Sequence, residues 1–166
     1  MLGLAALLLL LRLLLRARQQ ATSDPLTRLP NRSKFDQGLE QELRSALRSD
    51  QPLSLLMLDV DHFKRLNDSL GQPAGDEILR TFSQILCGRA RRPRDLVARL
   101  GGDQFAILLP ETTPQSAAAI ATTIHVDLAN LSTCTSASAA VAPFTASIGI
   151  HTVPAGSDPT AAEVVE

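Results

Sequence analysis

The sequence predicts an α/β fold of the α+β sandwich kind, a mixed central sheet flanked by helices. Three observations carry this. Apolar residues recur at helical spacing in two long segments, Arg32 to Ser49 and Gly71 to Ala90. Between them PLSLLMLDVD, Pro52 to Asp61, is a short and almost continuous apolar run, the pattern of a strand buried on both faces. A hairpin signature, LVARLGGDQFAILLP from Leu96 to Pro110, then interrupts the alternation of helix and strand, so the sheet is expected to be mixed.

In chain order, residues 1–15 read MLGLAALLLLLRLLL, with ten leucines and one charge, followed by Arg16 and Arg18. Eleven uncharged residues before Arg12 fall short of a bilayer span, which takes about 20. A basic n-region and a small-residue cleavage site, the marks of a signal peptide, are missing. Two readings stay open for residues 1–20: the last turns of a membrane helix with its arginines on the cytoplasmic side, or a self-associating stalk helix. The main domain is assigned to residues 21–166.

After a polar joint, DPLTRLPNRSKF uses the vocabulary of turns and helix starts. Phe35, Leu39, Leu43, Ala46 and Leu47 then define one apolar helix face. The apolar strand ends in Asp59 and Asp61, and HFKRLNDSL reads as a short helix. In GQPAGDEILRTFSQILCGRA the residues Ile78, Leu79, Phe82, Ile85 and Leu86 mark a second amphipathic helix. A basic loop from Arg89 to Asp95 leads to the hairpin, and Pro114 opens a third helix reaching about Leu131. STCTSASAAVAP is a small-residue loop or weak edge strand, and FTASIGI is a strand. SDPTAAEVVE reads as a helix start with Asp158 as its cap and Pro159 at the first helical position.

Composition excludes several functions. Sixteen basic against seventeen acidic residues give a net charge of −1, which provides no general field for DNA or RNA. Cys87 and Cys134 have no metal-ligand spacing, His62, His125 and His151 form no HExxH pattern, and neither a GxSxG elbow nor a GxxxxGK[ST] loop occurs.

The chemistry is expected where the apolar strand ends. Two acids there need a cation, hydrogen bonds or a raised pKa. If the hairpin pairs beside this strand, Asp103 at its tip lies near Asp59, and two carboxylates on adjacent strands can hold a magnesium ion with positions open to phosphate. The alternative for Asp59 and Asp61 is capping of the HFKRL helix. Gly101 and Gly102 fit either a tight turn at positive φ or close approach of backbone to a ligand.

DPLTRLPNR, LDVDHFKRLNDSLGQPAGDEIL, RPRDLVARLGGDQF and FTASIGI, in this order and spacing, resemble the GGDEF domain of diguanylate cyclases from Asp24 to about Ile150. The resemblance implies a palm-like nucleotidyl cyclase fold that condenses two GTP into cyclic di-GMP and pyrophosphate. Each domain holds one GTP, so a homodimer is implied. Asp59, Asp103 and the Val60 carbonyl look like the ligands of Mg2+, with Mn2+ as a substitute, and Asp103 also occupies the place of the proton acceptor. Lys64 resembles the lysine that meets the phosphates, or is an exposed helix residue. Asn67 and Asp76 resemble the guanine readers, or are a local turn residue and a helix-start acid. Phe63 is core or pocket wall, and Gly101 and Gly102 make room for GTP. Arg92 and Asp95 match the RxxD position of a product-binding inhibitory site, or belong to a solvated basic loop. The family also implies a cytoplasmic domain in biofilm and motility signalling, attached to the bacterial inner membrane where residues 1–15 serve as an anchor.

Three departures bear on activity. The usual glutamate of the signature is Gln104, counted with the catalytic residues, and an amide carries no charge. Arg28 and Gln72 replace a glycine and a histidine. The chain ends at Glu166, where the family continues into a basic helix and a final strand, so the C-terminal part of the domain is expected to be missing. A regulatory module that binds cyclic di-GMP or GTP without turnover is the competing reading.

Overall fold

The computed structural model describes residues 22–131 and 141–165. The expectations for residues 1–15, for Cys134 and for most of STCTSASAAVAP lie outside them. In chain order the elements are α1 (Arg32–Ser49), β1 (Leu53–Val60), α2 (Phe63–Leu70), α3 (Gln72–Arg89), β2 (Leu96–Gly101), β3 (Gln104–Pro110), α4 (Pro114–Leu131), β4 (Ala146–Val153) and α5 (Ala161–Val165).

Local signals account for the boundaries. The Asn31 side chain accepts a hydrogen bond from Lys34 N at 3.1 Å and caps α1, which ends at Asp50 in the left-handed conformation. The expected cap of the last helix is different. Thr160, not Asp158, closes it: Thr160 N and Oγ1 each donate to Glu163 Oε2 at 2.7 Å, and Glu163 N donates to Thr160 Oγ1 at 3.4 Å. A threonine with a glutamate three residues on forms a reciprocal capping box, which outcompetes an isolated aspartate two positions earlier.

The strands lie in the order β2-β3-β1-β4. The sheet flanked by helices is as expected, but among the described residues all three ladders are antiparallel, and the parallel component is one isolated bridge, Asn31 to Arg99. The reason is topological. The β1-α2-α3-β2 crossover leaves β1 and β2 pointing the same way, and the hairpin turns β3 back into the gap between them. The β3-α4-β4 crossover repeats this, with β1 in the gap. Both are split βαβ units, whose parallel strands never touch.

Each face of the sheet has its own core. Leu56, Leu58, Val60, Phe105, Ile107 and Leu109 meet Ile78, Leu79, Phe82 and Leu86 of α3 and the buried stripe of α4. Phe82 stands edge-on to Phe105 and Phe144, with centroids 5.1 and 5.8 Å apart, the geometry favoured by ring quadrupoles. The opposite face packs Leu53, Leu55, Ala98, Ala106, Leu108 and Val153 against Phe35 and Leu39 of α1 and Val164 of α5. Leu47, expected on the apolar face of α1, is 40% exposed. At about 100° per residue it stands about 120° round the helix from Phe35, whereas Ala46 stands about 20° away. Glu42 is buried instead, paired with Arg94.

Candidate active site

Strand β1 carries its side chains alternately to the two cores. On the α1 side, Leu53 and Leu55 are buried while Met57 and Asp59 are partly exposed, so cover is lost toward the strand's C-terminal end. Asp59 stands in that opening, directly opposite Gln104 across the β1–β3 ladder. Met57, Leu58, Asp59, Gln104, Ser147 and Gly149 line a shallow cavity of about 220 Å3.

Asp59 does not cap α2. His62 occupies the cap position in the left-handed conformation without a side-chain cap bond. The Asp59 carboxyl is held above its usual range, first by burial and then by the negative charge of Asp103. A hydrogen bond from the Gln104 side chain opposes this, and the Asp61 charge adds to it. Asp61 is committed elsewhere. Its two oxygens accept from Thr145 Oγ1 and Ser147 Oγ, both at 2.6 Å, and these bonds hold its carboxyl below the usual range.

Strand pairing also places Asp103. Val60 N donates to Asp103 O at 3.3 Å, and Gly101 pairs with Gln104, leaving Gly102 and Asp103 as the two loop residues. Gly102 has φ +55° and Gly101 φ +137°, and a Cβ at either would meet nothing within 4 Å. Backbone conformation, not crowding, therefore selects glycine at both.

The loop is held by Arg99. Its Nε and Nη2 donate to Gly102 O at 3.0 and 2.6 Å, and its Nη1 donates to both oxygens of Asp24. Sequence reasoning did not single out Arg99. The signal available was a charge inside an otherwise apolar strand, Leu96 to Leu100.

Asp59, Asp103 and the Val60 backbone thus meet at the C-terminal end of β1. The two carboxylates offer oxygen ligands, which suit a hard divalent cation that keeps several waters. Among the described residues no group of three His, Cys, Asp or Glu side chains converges as a metal cluster.

The other expected site residues form two further groups. Lys64 is exposed on the first turn of α2. Asn67 and Phe63 of α2 pack against Gly75 of α3, next to Asp76, and Phe63 is also joined to the core. Arg92 and Asp95 meet in one tight turn: Arg92 N donates to Asp95 Oδ2 at 2.9 Å and Asp95 N to Arg92 O at 3.0 Å. The Arg92 guanidinium donates to Thr112 Oγ1 at 3.3 Å, and Asp95 Oδ1 is buried without a partner among the described residues. The neighbouring Arg94 is occupied by Glu42, Glu111 and Ser45.

Comparison with known proteins gives a consistent result. The family model described as diguanylate cyclase, GGDEF domain, matches residues 21–166. Diguanylate cyclase DgcP of Pseudomonas aeruginosa is 47% identical over 96 residues, 58% of this chain and 14% of the relative. Diguanylate cyclase DgcM of Escherichia coli is 38% identical over 130 residues, 78% of this chain and 30% of the relative. The chain therefore spans less than a third of the length of either. Among solved structures, the GGDEF domain of DgcB from Caulobacter crescentus in complex with c-di-GMP superposes with a TM-score of 0.75 at 30% identity, covering 88% of this chain and 82% of that one. Diguanylate cyclase SiaD from Pseudomonas aeruginosa, solved with its activator SiaC, gives a TM-score of 0.77 at 30% identity, covering 99% and 61%.

Proposed function

The chain belongs to the GGDEF domain family of diguanylate cyclases, and we propose that it condenses two GTP molecules into cyclic di-GMP with release of two pyrophosphates. The observation that carries this is the strand pairing at the C-terminal end of β1, where Asp59 stands opposite Gln104 and Val60 N bonds Asp103 O, bringing both acids to one place.

In this reading Asp59, Asp103 and the Val60 carbonyl hold a magnesium ion, or manganese in its place, which when bound neutralises phosphate charge and acidifies the attacking hydroxyl. The 3′-oxygen of one GTP forms a bond to the α-phosphorus of the other as the bond to pyrophosphate breaks, and Asp103 takes the hydroxyl proton. Lys64, a compact exposed cation, meets charge developing on the phosphates. Asn67 and Asp76 read the guanine edge, with Phe63 as the wall. Gly101 and Gly102 admit the nucleotide because they carry no side chain at the loop. One domain holds one GTP, so two copies must face each other to complete the product. Arg92 and Asp95 bind that product and slow turnover, the planar guanidinium suiting both phosphate and guanine. Residues 1–20 serve as membrane anchor or stalk; among the described residues no helix is long and apolar enough to cross a membrane.

One observation favours a second reading, a domain that binds GTP or cyclic di-GMP without turnover. The Gln104 side chain hydrogen-bonds Asp59, where a glutamate would add a third negative charge for the metal. Incubating the purified protein with GTP and Mg2+ and separating the nucleotides by chromatography tests both. Cyclic di-GMP as product supports the cyclase. Bound nucleotide without product, in the chain as it stands and in a Gln104→Glu variant, supports the binding module.

A further inference from the structure

Gly75 lies buried in the first turn of α3, with Asn67 of α2 packed onto it. A Cβ at Gly75 would fall 1.8 Å from Asn67 Oδ1 and 2.9 Å from Asn67 Cγ, with Phe63 Cζ at 3.3 Å. The carboxamide therefore occupies the volume that any side chain at position 75 would need. The steric conflict is the same whichever of the two amide atoms faces Gly75.

Asn67 Oδ1 is also buried without a hydrogen-bond partner among the described residues. A free asparagine would turn that oxygen to water, because an unpaired buried acceptor is disfavoured. Packing holds it instead. Phe63 closes one side, and the corner between α2 and α3 is fixed by Gly71, whose N donates to Asn67 O at 2.9 Å and whose O accepts from Gly75 N at 3.3 Å.

We propose that Gly75 is a positioning residue for guanine selection, acting through Asn67 by reserving the volume that holds the carboxamide in one rotamer. This rests on the reading of Asn67 as a guanine reader. With one amide atom packed on Gly75, the other is left to meet the base, and it does so only while the carboxamide keeps that orientation. Evicting it by a single methyl group removes its hydrogen bond to the base while leaving every phosphate-binding residue in place. Selectivity is lost in that case, and general nucleotide affinity is kept.

The test is a cycle of four proteins, wild type, Gly75→Ala, Asn67→Ala and the double variant, each titrated by calorimetry with GTP and with ATP. The wild type prefers GTP. Gly75→Ala weakens GTP binding about tenfold, as expected for one lost hydrogen bond to a fixed amide, and leaves ATP binding unchanged. In the Asn67→Ala background the same substitution changes GTP affinity less than about twofold, since no carboxamide is left to displace. Equal losses in both backgrounds, losses shared by GTP and ATP, or no loss in the folded single variant would overturn the proposal. If Gly75→Ala does not fold, the double variant decides: recovery of folding with the GTP and ATP affinities of Asn67→Ala supports it, and failure to fold overturns it. A wild type that binds GTP no better than ATP removes the guanine reading itself, and this inference with it.

Discussion

Arg99 and Asp24, 75 positions apart, are joined by two hydrogen bonds of 3.0 and 3.1 Å from Nη1 to the carboxylate, with only 12% and 16% of their side chains exposed. The same guanidinium grips Gly102 O at the hairpin tip. One side chain thus links the start of the described chain to the loop that carries Asp103. Arg99→Ala is expected to destabilise the domain by roughly 3 kcal/mol, because it leaves a poorly solvated carboxylate without its cation. Arg99→Lys should recover part of that loss without the planar grip on Gly102. Urea denaturation of the three proteins measures both effects.

Stability should depend on acid through Asp24. Burial would raise its pKa, but hydrogen bonds from Thr27 N and Oγ1, together with Arg99, outweigh it and hold the carboxyl below the ordinary value of 3.8. A depressed folded pKa stabilises the protein fully above the unfolded value and ceases to do so below the folded one. Melting temperatures measured from about pH 6 down to about pH 2.5 should fall more steeply for wild type than for Asp24→Asn. Parallel curves would show that Asp24 does not carry the effect.

Arg28 occupies the turn at φ +64°, in the left-handed region. A non-glycine residue there pays about 1–2 kcal/mol, partly offset by the greater unfolded-state entropy of glycine. Arg28→Gly is expected to raise stability by about 0.5–1 kcal/mol, seen as a higher urea midpoint at unchanged slope.

Gln104→Glu should exchange an amide hydrogen bond to Asp59 for a third negative charge. Without divalent ions the variant should melt lower than wild type, since like charges then crowd the C-terminal end of β1. Adding Mg2+ should raise its melting temperature by several degrees more than that of wild type, in proportion to tighter ion binding. Calorimetric scans with and without Mg2+ give the comparison, and equal Mg2+ responses would remove Gln104 from the metal site.

Arg92→Ala should weaken cyclic di-GMP binding at least about tenfold, the effect of one lost charge-assisted contact. Among the described residues its guanidinium is committed to one long bond, to Thr112, so folding should be nearly unaffected. Titration calorimetry with cyclic di-GMP reads the affinity, and an unchanged value would take Arg92 out of the proposed product site.

The elements themselves were legible because each is written in a local code. Phe35 and Leu39 mark the buried stripe of α1, the run from Leu53 to Val60 marks a strand covered on both sides, and Gly101–Gly102 mark the turn. Asp59 and Asp103 could be paired in advance because a hairpin beside β1 brings only its tip to the strand's end. The cap at Thr160 was equally written in the sequence, since Thr160 and Glu163 stand three apart as a capping box requires, but the Asp158–Pro159 pair points to a start two residues earlier. The bonds of Asp61 to Thr145 and Ser147 span more than 80 residues and have no local signature.

What the sequence determined by itself was the set of elements, the family resemblance and the residues able to do chemistry, because helical period, strand burial and turn conformation are set by near neighbours in the chain. The tertiary structure alone decided that β3 slips between β1 and β2, making every ladder antiparallel. It alone tied Asp24 to the hairpin through Arg99 and set Asn67 in the space left by Gly75. Those contacts depend on how crossovers bring distant segments together, and residues far apart in sequence carry no periodic signal of where they will meet.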